Sequence, residues 1–181
     1  DTIKIGSDSI LFAGNDPQGA GNMVLADIAN VETISIGARS KLVAKDITGV
    51  NKLTAANGVK DDTTQIFAAG KVTGTAQNDT ISLGNWSAAQ VGQINLGAGN
   101  NTIKIGNNSY LYAGAIYIGD YTSASTLSIG ANVNFTASSL VWVNKLTVGN
   151  GTTFAIGSIA GSGKNEWSEH KDILKRCLEY L

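Results

Sequence analysis

The fold class this sequence predicts is an all-β solenoid, a β-roll or β-helix of short repeated strands closed by a C-terminal α-helix. Three observations predict it: a recurring strand-and-turn phrase, a spacing of about two strands per repeat, and the same aliphatic pair in copy after copy. The phrase occurs as Thr2-Ile3-Lys4-Ile5-Gly6, Thr33-Ile34-Ser35-Ile36-Gly37, Thr80-Ile81-Ser82-Leu83-Gly84, Thr102-Ile103-Lys104-Ile105-Gly106 and Thr126-Leu127-Ser128-Ile129-Gly130. Each copy alternates polar with branched aliphatic residues. In the first copy, a strand puts Ile3 and Ile5 on a buried face, with Thr2 and Lys4 on a wet one. The closing glycine permits the turn that follows.

Weaker copies fill the gaps: Ile94-Asn95-Leu96-Gly97, Ile116-Tyr117-Ile118-Gly119, Leu146-Thr147-Val148-Gly149 and Phe154-Ala155-Ile156-Gly157. From Gly84 onward the terminal glycines lie 13, 9, 13, 11, 19 and 8 residues apart, so successive pairs give repeats of 22 and 24. That period is the mark of a solenoid whose coils each add about two strands. Before Gly84 the steps lengthen to 31 (Gly6 to Gly37) and 47 (Gly37 to Gly84), which predicts insertions or degenerate coils there.

A β-sandwich is the alternative, because it also has many short strands between turns. Sameness favours the solenoid: a sandwich core needs different side chains at each depth, whereas stacked coils ask every repeat for the same pair. Ile81, Leu83, Ile94, Leu96, Ile103 and Ile105 are the expected inward stack. Pro17, the single proline, falls in the turn-like Gly14-Asn15-Asp16-Pro17-Gln18-Gly19, where no ladder needs its missing N–H.

The chain divides sharply. All 22 glycines lie at or before Gly163, while eight charged residues (Lys164, Glu166, Glu169, Lys171, Asp172, Lys175, Arg176 and Glu179) crowd the last 18 positions. Residues 1–160 are read as the repeat domain, 161–164 as a Gly/Ser linker, and 165–181 as an amphipathic helix. Asn165 is a good N-cap, and Trp167, Ile173, Leu174, Cys177, Leu178 and Leu181 recur at helical spacing. So short a helix is marginal alone and needs a surface to dock on. It is a cap on the last coil, the start of a further domain, or a foreign segment.

Composition narrows the function. Charged residues make up 15% of the 181, far below the usual quarter, and the net charge is −1 with no basic run. Neither nucleic acid nor anionic lipid is therefore an expected partner. No stretch is long and apolar enough to span a membrane, and the opening in mid-pattern suggests a piece of something longer. Cys177 is the only cysteine, so no internal disulfide is expected.

Catalytic constellations are not evident. His170 is the only histidine and lies in the tail, so the repeats offer no Ser/His or Cys/His pairing. His170 and Cys177 share a helix face, but two ligands do not make a zinc site. Asp61 and Asp62 are adjacent, which on a strand sends them to opposite faces; a solvated turn is the expected setting. Tyr110 and Tyr112 alternate onto one face, where they would stack on sugar rings or shield a sheet.

The stretch Leu96-Gly97-Ala98-Gly99-Asn100-Asn101-Thr102-Ile103 resembles the glycine-rich nonapeptide of calcium-binding RTX β-rolls, and Gln77-Asn78-Asp79-Thr80-Ile81 resembles its second half. That resemblance implies a turn aspartate binding Ca²⁺ with neighbouring backbone carbonyls. Asn101 stands where the aspartate belongs and Asp79 alone keeps it, so no cofactor is expected, with calcium at Asp79 the alternative. In texture, residues 1–160 resemble the passenger segments of bacterial repetitive adhesins and autotransporters, which implies an extracellular or cell-surface location.

The expected function is a non-catalytic structural spacer or adhesive segment of a microbial surface or secreted protein, binding a host or matrix ligand, carbohydrate included. Self-association through solenoid ends or the C-terminal helix is a further expectation. The rival is a carbohydrate-binding or carbohydrate-processing β-helix with Tyr110, Tyr112 and Asp120 lining a groove. An ice-binding face is disfavoured, because regular outward threonine ladders are not evident in the sequence.

Overall fold

A computed structural model describes residues 1–15, 24–60 and 67–161. Its strands run in chain order as β1 (Thr2–Ile5), β2 (Ile10–Phe12), β3 (Gly14–Asn15), β4 (Val24–Leu25), β5 (Ile28–Ala29), β6 (Thr33–Ile36), β7 (Lys41–Thr48), β8 (Lys52–Ala55) and β9 (Phe67–Thr73). There follow β10 (Thr80–Leu83), β11 (Ala88–Asn95), β12 (Thr102–Ile105), β13 (Tyr110–Tyr117), β14 (Thr126–Ile129), β15 (Asn134–Val143), β16 (Lys145–Val148) and β17 (Thr153–Gly161).

From β6 onward short and long strands alternate and go to different sheets. The short ones form a seven-stranded sheet in the order β1-β6-β8-β10-β12-β14-β16; the long ones follow β17-β15-β13-β11-β9-β7, continued past β7 by the three-residue β2, with the two-residue β5 also on β7. Every pairing in both sheets is parallel. This is a β-solenoid. A sandwich is ruled out by direction, since its sheets are antiparallel.

The register is that of the phrase. Thr80 pairs with Thr102 and Thr102 with Thr126, so adjacent coils repeat after 22 and 24 residues. The 47-residue gap holds one degenerate coil, led by Lys52-Leu53-Thr54-Ala55 in β8 between β6 and β10. It escapes the motif because Ala55 replaces the second large aliphatic and Ala56 the glycine. The 31-residue gap carries an insertion that includes the antiparallel pair β3–β4. Three of the weaker copies are not short strands at all: Ile94 and Ile116 are next to last in long strands, with Leu96 and Ile118 just past the ends, and Phe154 lies within β17.

The core is a set of aliphatic columns running along the stack. Ile34, Leu53, Ile81, Ile103, Leu127 and Leu146 form one from the short strands, and Leu42, Phe67, Ala89, Leu111 and Phe135 one from the long. The expected inward residues Ile81, Leu83, Ile94, Leu96, Ile103 and Ile105 are all buried. Phe135 stacks on Phe154 at 5.1 Å between centroids.

Glycine bends the long strands. Pairing runs from Val91↔Ala113 to Gln93↔Ala115, leaving Gly92 and Gly114 out. The buried positions change phase there, from Val91 to Ile94 and from Ala113 to Ile116. A Cβ on Gly114 would run into the carbonyl oxygen of Gly92, so the bend has no room for a side chain.

Gly161, expected as the first residue of a linker, closes β17. The expected helix at 165–181 with His170 and Cys177, the rest of the linker, Pro17, and Asp61 with Asp62 lie outside the described residues.

Candidate functional site

The corner before each short strand is polar. Asp1, Glu32, Asn51, Asp79, Asn101, Ser125 and Asn144 each precede one. In the middle of the stack these side chains bind coil to coil: the Asp79 N–H donates to Asn101 Oδ1 at 2.7 Å, and the Asn101 N–H to Ser125 Oγ at 3.0 Å. Asn101 Nδ2 donates to the Gly97 carbonyl at 3.1 Å.

Asp79, the one calcium candidate, is buried here with its carboxylate already engaged. Oδ2 accepts the Thr75 N–H at 2.8 Å, while Oδ1 accepts the Thr75 hydroxyl at 2.7 Å and the Asn51 amide at 3.2 Å. So engaged, the carboxylate fastens its own turn to the Asn51 corner of the neighbouring coil. Among the described residues no group of three or more His, Cys, Asp or Glu side chains converges on a point.

The opposite corner, before the long strands, repeats the device with hydroxyls. Ser9 N–H donates to Ser40 Oγ at 3.0 Å, Ser87 N–H to Ser109 Oγ at 3.1 Å, and Val133 N–H to Thr152 Oγ1 at 3.2 Å. The same hydroxyls donate back to carbonyls of the coil before: Ser40 to Gly6, Ser109 to Gly84, Thr152 to Gly130. Beside them Asn57, Asn85 and Asn107 accept the N–H of Asn85, Asn107 and Ala131 in turn. Asp8, Arg39, Trp86, Asn108 and Asn132 take the left-handed backbone conformation in this turn, where asparagine is least strained. Asp8 and Arg39 also form an ion pair between coils, and the Arg39 hydrogen bond holds the Asp8 carboxyl below its ordinary range.

The aromatic residues only partly converge. Tyr110 and Tyr112 sit exposed on one face of β13, and Tyr117 packs on Trp142 at 5.9 Å beyond the Gly114 bend. Asp120 lies past the far end of that strand in a turn of its own. Its Oδ1 accepts the Ser123 hydroxyl at 2.7 Å and both the hydroxyl and N–H of Thr122 at 2.9 Å, which hold its pKa below the ordinary value. The Asp120 carboxylate is thus tied to its own turn, at the other end of β13 from Tyr110 and Tyr112.

A broader surface emerges on the outside of the short-strand sheet. Two outward columns run along it in register: Thr2, Thr33, Lys52, Thr80, Thr102, Thr126, Lys145 and, beside them, Lys4, Ser35, Thr54, Ser82, Lys104, Ser128, Thr147. All 14 positions are hydroxyl or lysine. The four lysines are exposed, and none joins an ion pair with a described residue. Sequence reasoning missed this face: lysines 41 to 52 residues apart form no basic run, and only stacking aligns them. The signal lay in the third and first positions of the phrase.

The fold and its surfaces define a two-sheeted parallel β-solenoid with one continuous polar face. No protein-family model matches the chain, and comparison with curated proteins and with solved structures likewise finds no match. Among the described residues no helix is long and apolar enough to cross a membrane.

Proposed function

We propose that this chain is a non-catalytic structural and adhesive segment of a microbial cell-surface or secreted protein. The observation that carries the reading is the in-register outward face of the seven-stranded sheet, which repeats one chemistry from coil to coil. The polar corner residues serve cohesion between coils, as Asp79 with Asn51, Asn101 with Asp79, and Ser109 with Ser87 illustrate. An enzyme concentrates its chemistry at one point, whereas a spacer or adhesin spreads it along a length. Low charge and a cysteine-free repeat region suit an extracellular setting.

Tyr110 and Tyr112, exposed side by side, favour a second reading in which carbohydrate is bound on the long-strand sheet. A glycan array run beside turnover assays on the same polysaccharides tests both. Binding without turnover is expected. Turnover that disappears with one acidic substitution, at Asp120 for example, contradicts the non-catalytic reading.

A further inference from the structure

The four lysines of the short-strand face are placed with a regularity that the sequence does not reveal. In spatial order the strands are β1, β6, β8, β10, β12, β14 and β16, and lysine occurs on the first, third, fifth and seventh: Lys4, Lys52, Lys104 and Lys145. The strands between them present only Thr33 and Ser35, Thr80 and Ser82, Thr126 and Ser128. Lys52 and Lys145 stand in one outward column, Lys4 and Lys104 in the other. The result is a zigzag with one positive charge every second coil. Adjacent strands lie about 4.8 Å apart, so successive lysines are separated by roughly 9.6 Å along the stack. No acidic side chain points outward from these strands; Glu32 lies at the corner beside them and meets the amino terminus at 3.8 Å.

We infer that this face binds a linear acidic polysaccharide carrying one anionic group per disaccharide, laid along the stack. The inference rests on the adhesive reading above and names its ligand class. A β-linked sugar in an extended chain advances by nearly one strand spacing, so one sugar faces each coil and one disaccharide faces each lysine. The acidic group of every second sugar then meets an ammonium. Its neutral neighbour meets a row of Thr and Ser hydroxyls, which donate to and accept from sugar hydroxyls.

Charge spacing separates this ligand from other polyanions. An extended acidic peptide repeats its same-face side chains about every 6.8 Å, out of step with the lysines. Duplex nucleic acid carries a charge about every 1.7 Å along its axis, far denser than this face can match. Single strands bind through aromatic platforms, and the 14 outward positions hold no aromatic residue. One exposed lysine contact contributes little in water, so affinity must come from several contacts made along one chain, and salt must weaken it.

The test uses the full chain and two variants of it. The probe is hyaluronan, which has one carboxylate per disaccharide, with neutral dextran, polygalacturonate, polyglutamate and oligothymidylate as comparisons. The wild type should bind hyaluronan at low salt and lose it at about 0.5 M salt. The variant Lys4→Gln/Lys52→Gln/Lys104→Gln/Lys145→Gln changes only exposed side chains and should weaken binding by about tenfold or more. In Lys52→Thr/Thr80→Lys the net charge is kept but one lysine moves to the neighbouring strand, and binding should fall as well. Binding that survives the quadruple substitution, binding that ignores the moved lysine, equal binding of oligothymidylate or polyglutamate, or no binding to hyaluronan each overturns the inference. The length of hyaluronan after incubation is read in parallel. Shortening of the polymer sinks the non-catalytic reading, whereas lysine-independent binding of intact polymer sinks only the ligand assignment.

Discussion

The backbone N–H of Asp79 donates to the Oδ1 of Asn101, 22 residues further on, at 2.7 Å. That bond joins two coils through a buried amide. Asn101→Ala leaves the buried Asp79 N–H without its acceptor and should destabilise the protein by about 1–3 kcal/mol, read from denaturant midpoints. A loss below a few tenths of a kcal/mol would mean that the corner contributes nothing to stacking.

Calcium should not matter to this corner. Both oxygens of Asp79 already accept hydrogen bonds from Thr75, with Asn51 adding a third. The melting temperature is expected to be the same in EDTA and in millimolar calcium. A rise of many degrees with calcium would show a ligand shell that this arrangement does not provide.

Glycines in the bends should be irreplaceable where coils touch and replaceable elsewhere. A methyl at Gly114 meets the Gly92 carbonyl, while a methyl at Gly6 meets nothing nearer than Ser9 Oγ at 3.8 Å. Gly114→Ala should cost about 1–3 kcal/mol or more, because the obstacle is backbone that cannot step aside, and Gly6→Ala should cost little. Thermal unfolding of the two variants side by side checks the contrast; equal melting points would refute it.

Within the core, Ile103 is fully enclosed between Ile81 and Leu127 of the neighbouring coils. Ile103→Ala should cost about 2–5 kcal/mol and Ile103→Val about 0.5–1.5. Urea titration distinguishes these values from the near-zero change that an outward side chain would give.

Asp120 gives the one pH-dependent expectation. The Ser123 and Thr122 hydrogen bonds lower its folded pKa below its unfolded value of about 3.9. Its contribution is therefore fully present above the unfolded value and is lost as pH falls through the folded one. The stability advantage of wild type over Asp120→Asn should be constant near neutrality and shrink below about pH 4. An advantage that grows on acidification would contradict the hydrogen-bond pattern.

How much of this was legible in the sequence follows from what repeats are made of. Thr102-Ile103-Lys104-Ile105-Gly106 and its copies announced the short strands, because burial demands the same alternation in every coil. The long strands were hidden. In β11 the buried positions Ala89, Val91 and Ile94 change phase at Gly92, which erases a two-residue period. Asp79 and Asn101 stood out through resemblance, yet their partners, such as Thr75 and Ser125, depend on turns and stacking that no local pattern encodes. The outward threonine columns and the lysine zigzag depend on coil lengths between 19 and 31 residues, and so became visible only once Thr33, Lys52 and Thr80 were seen side by side.

The alignment of coils into one continuous face is the claim on which the account depends, and a single distance tests it. Spin labels at Ser35→Cys and Ser128→Cys, in a Cys177→Ser background, report the separation of β6 from β14. The two strands are four steps apart in the parallel sheet, which places their backbones roughly 19 Å from one another. Pulsed electron resonance should give one narrow distribution consistent with that spacing after allowance for the label arms. A broad distribution, or a mean corresponding to one or two strand steps, would contradict the stacked register and the lysine face with it.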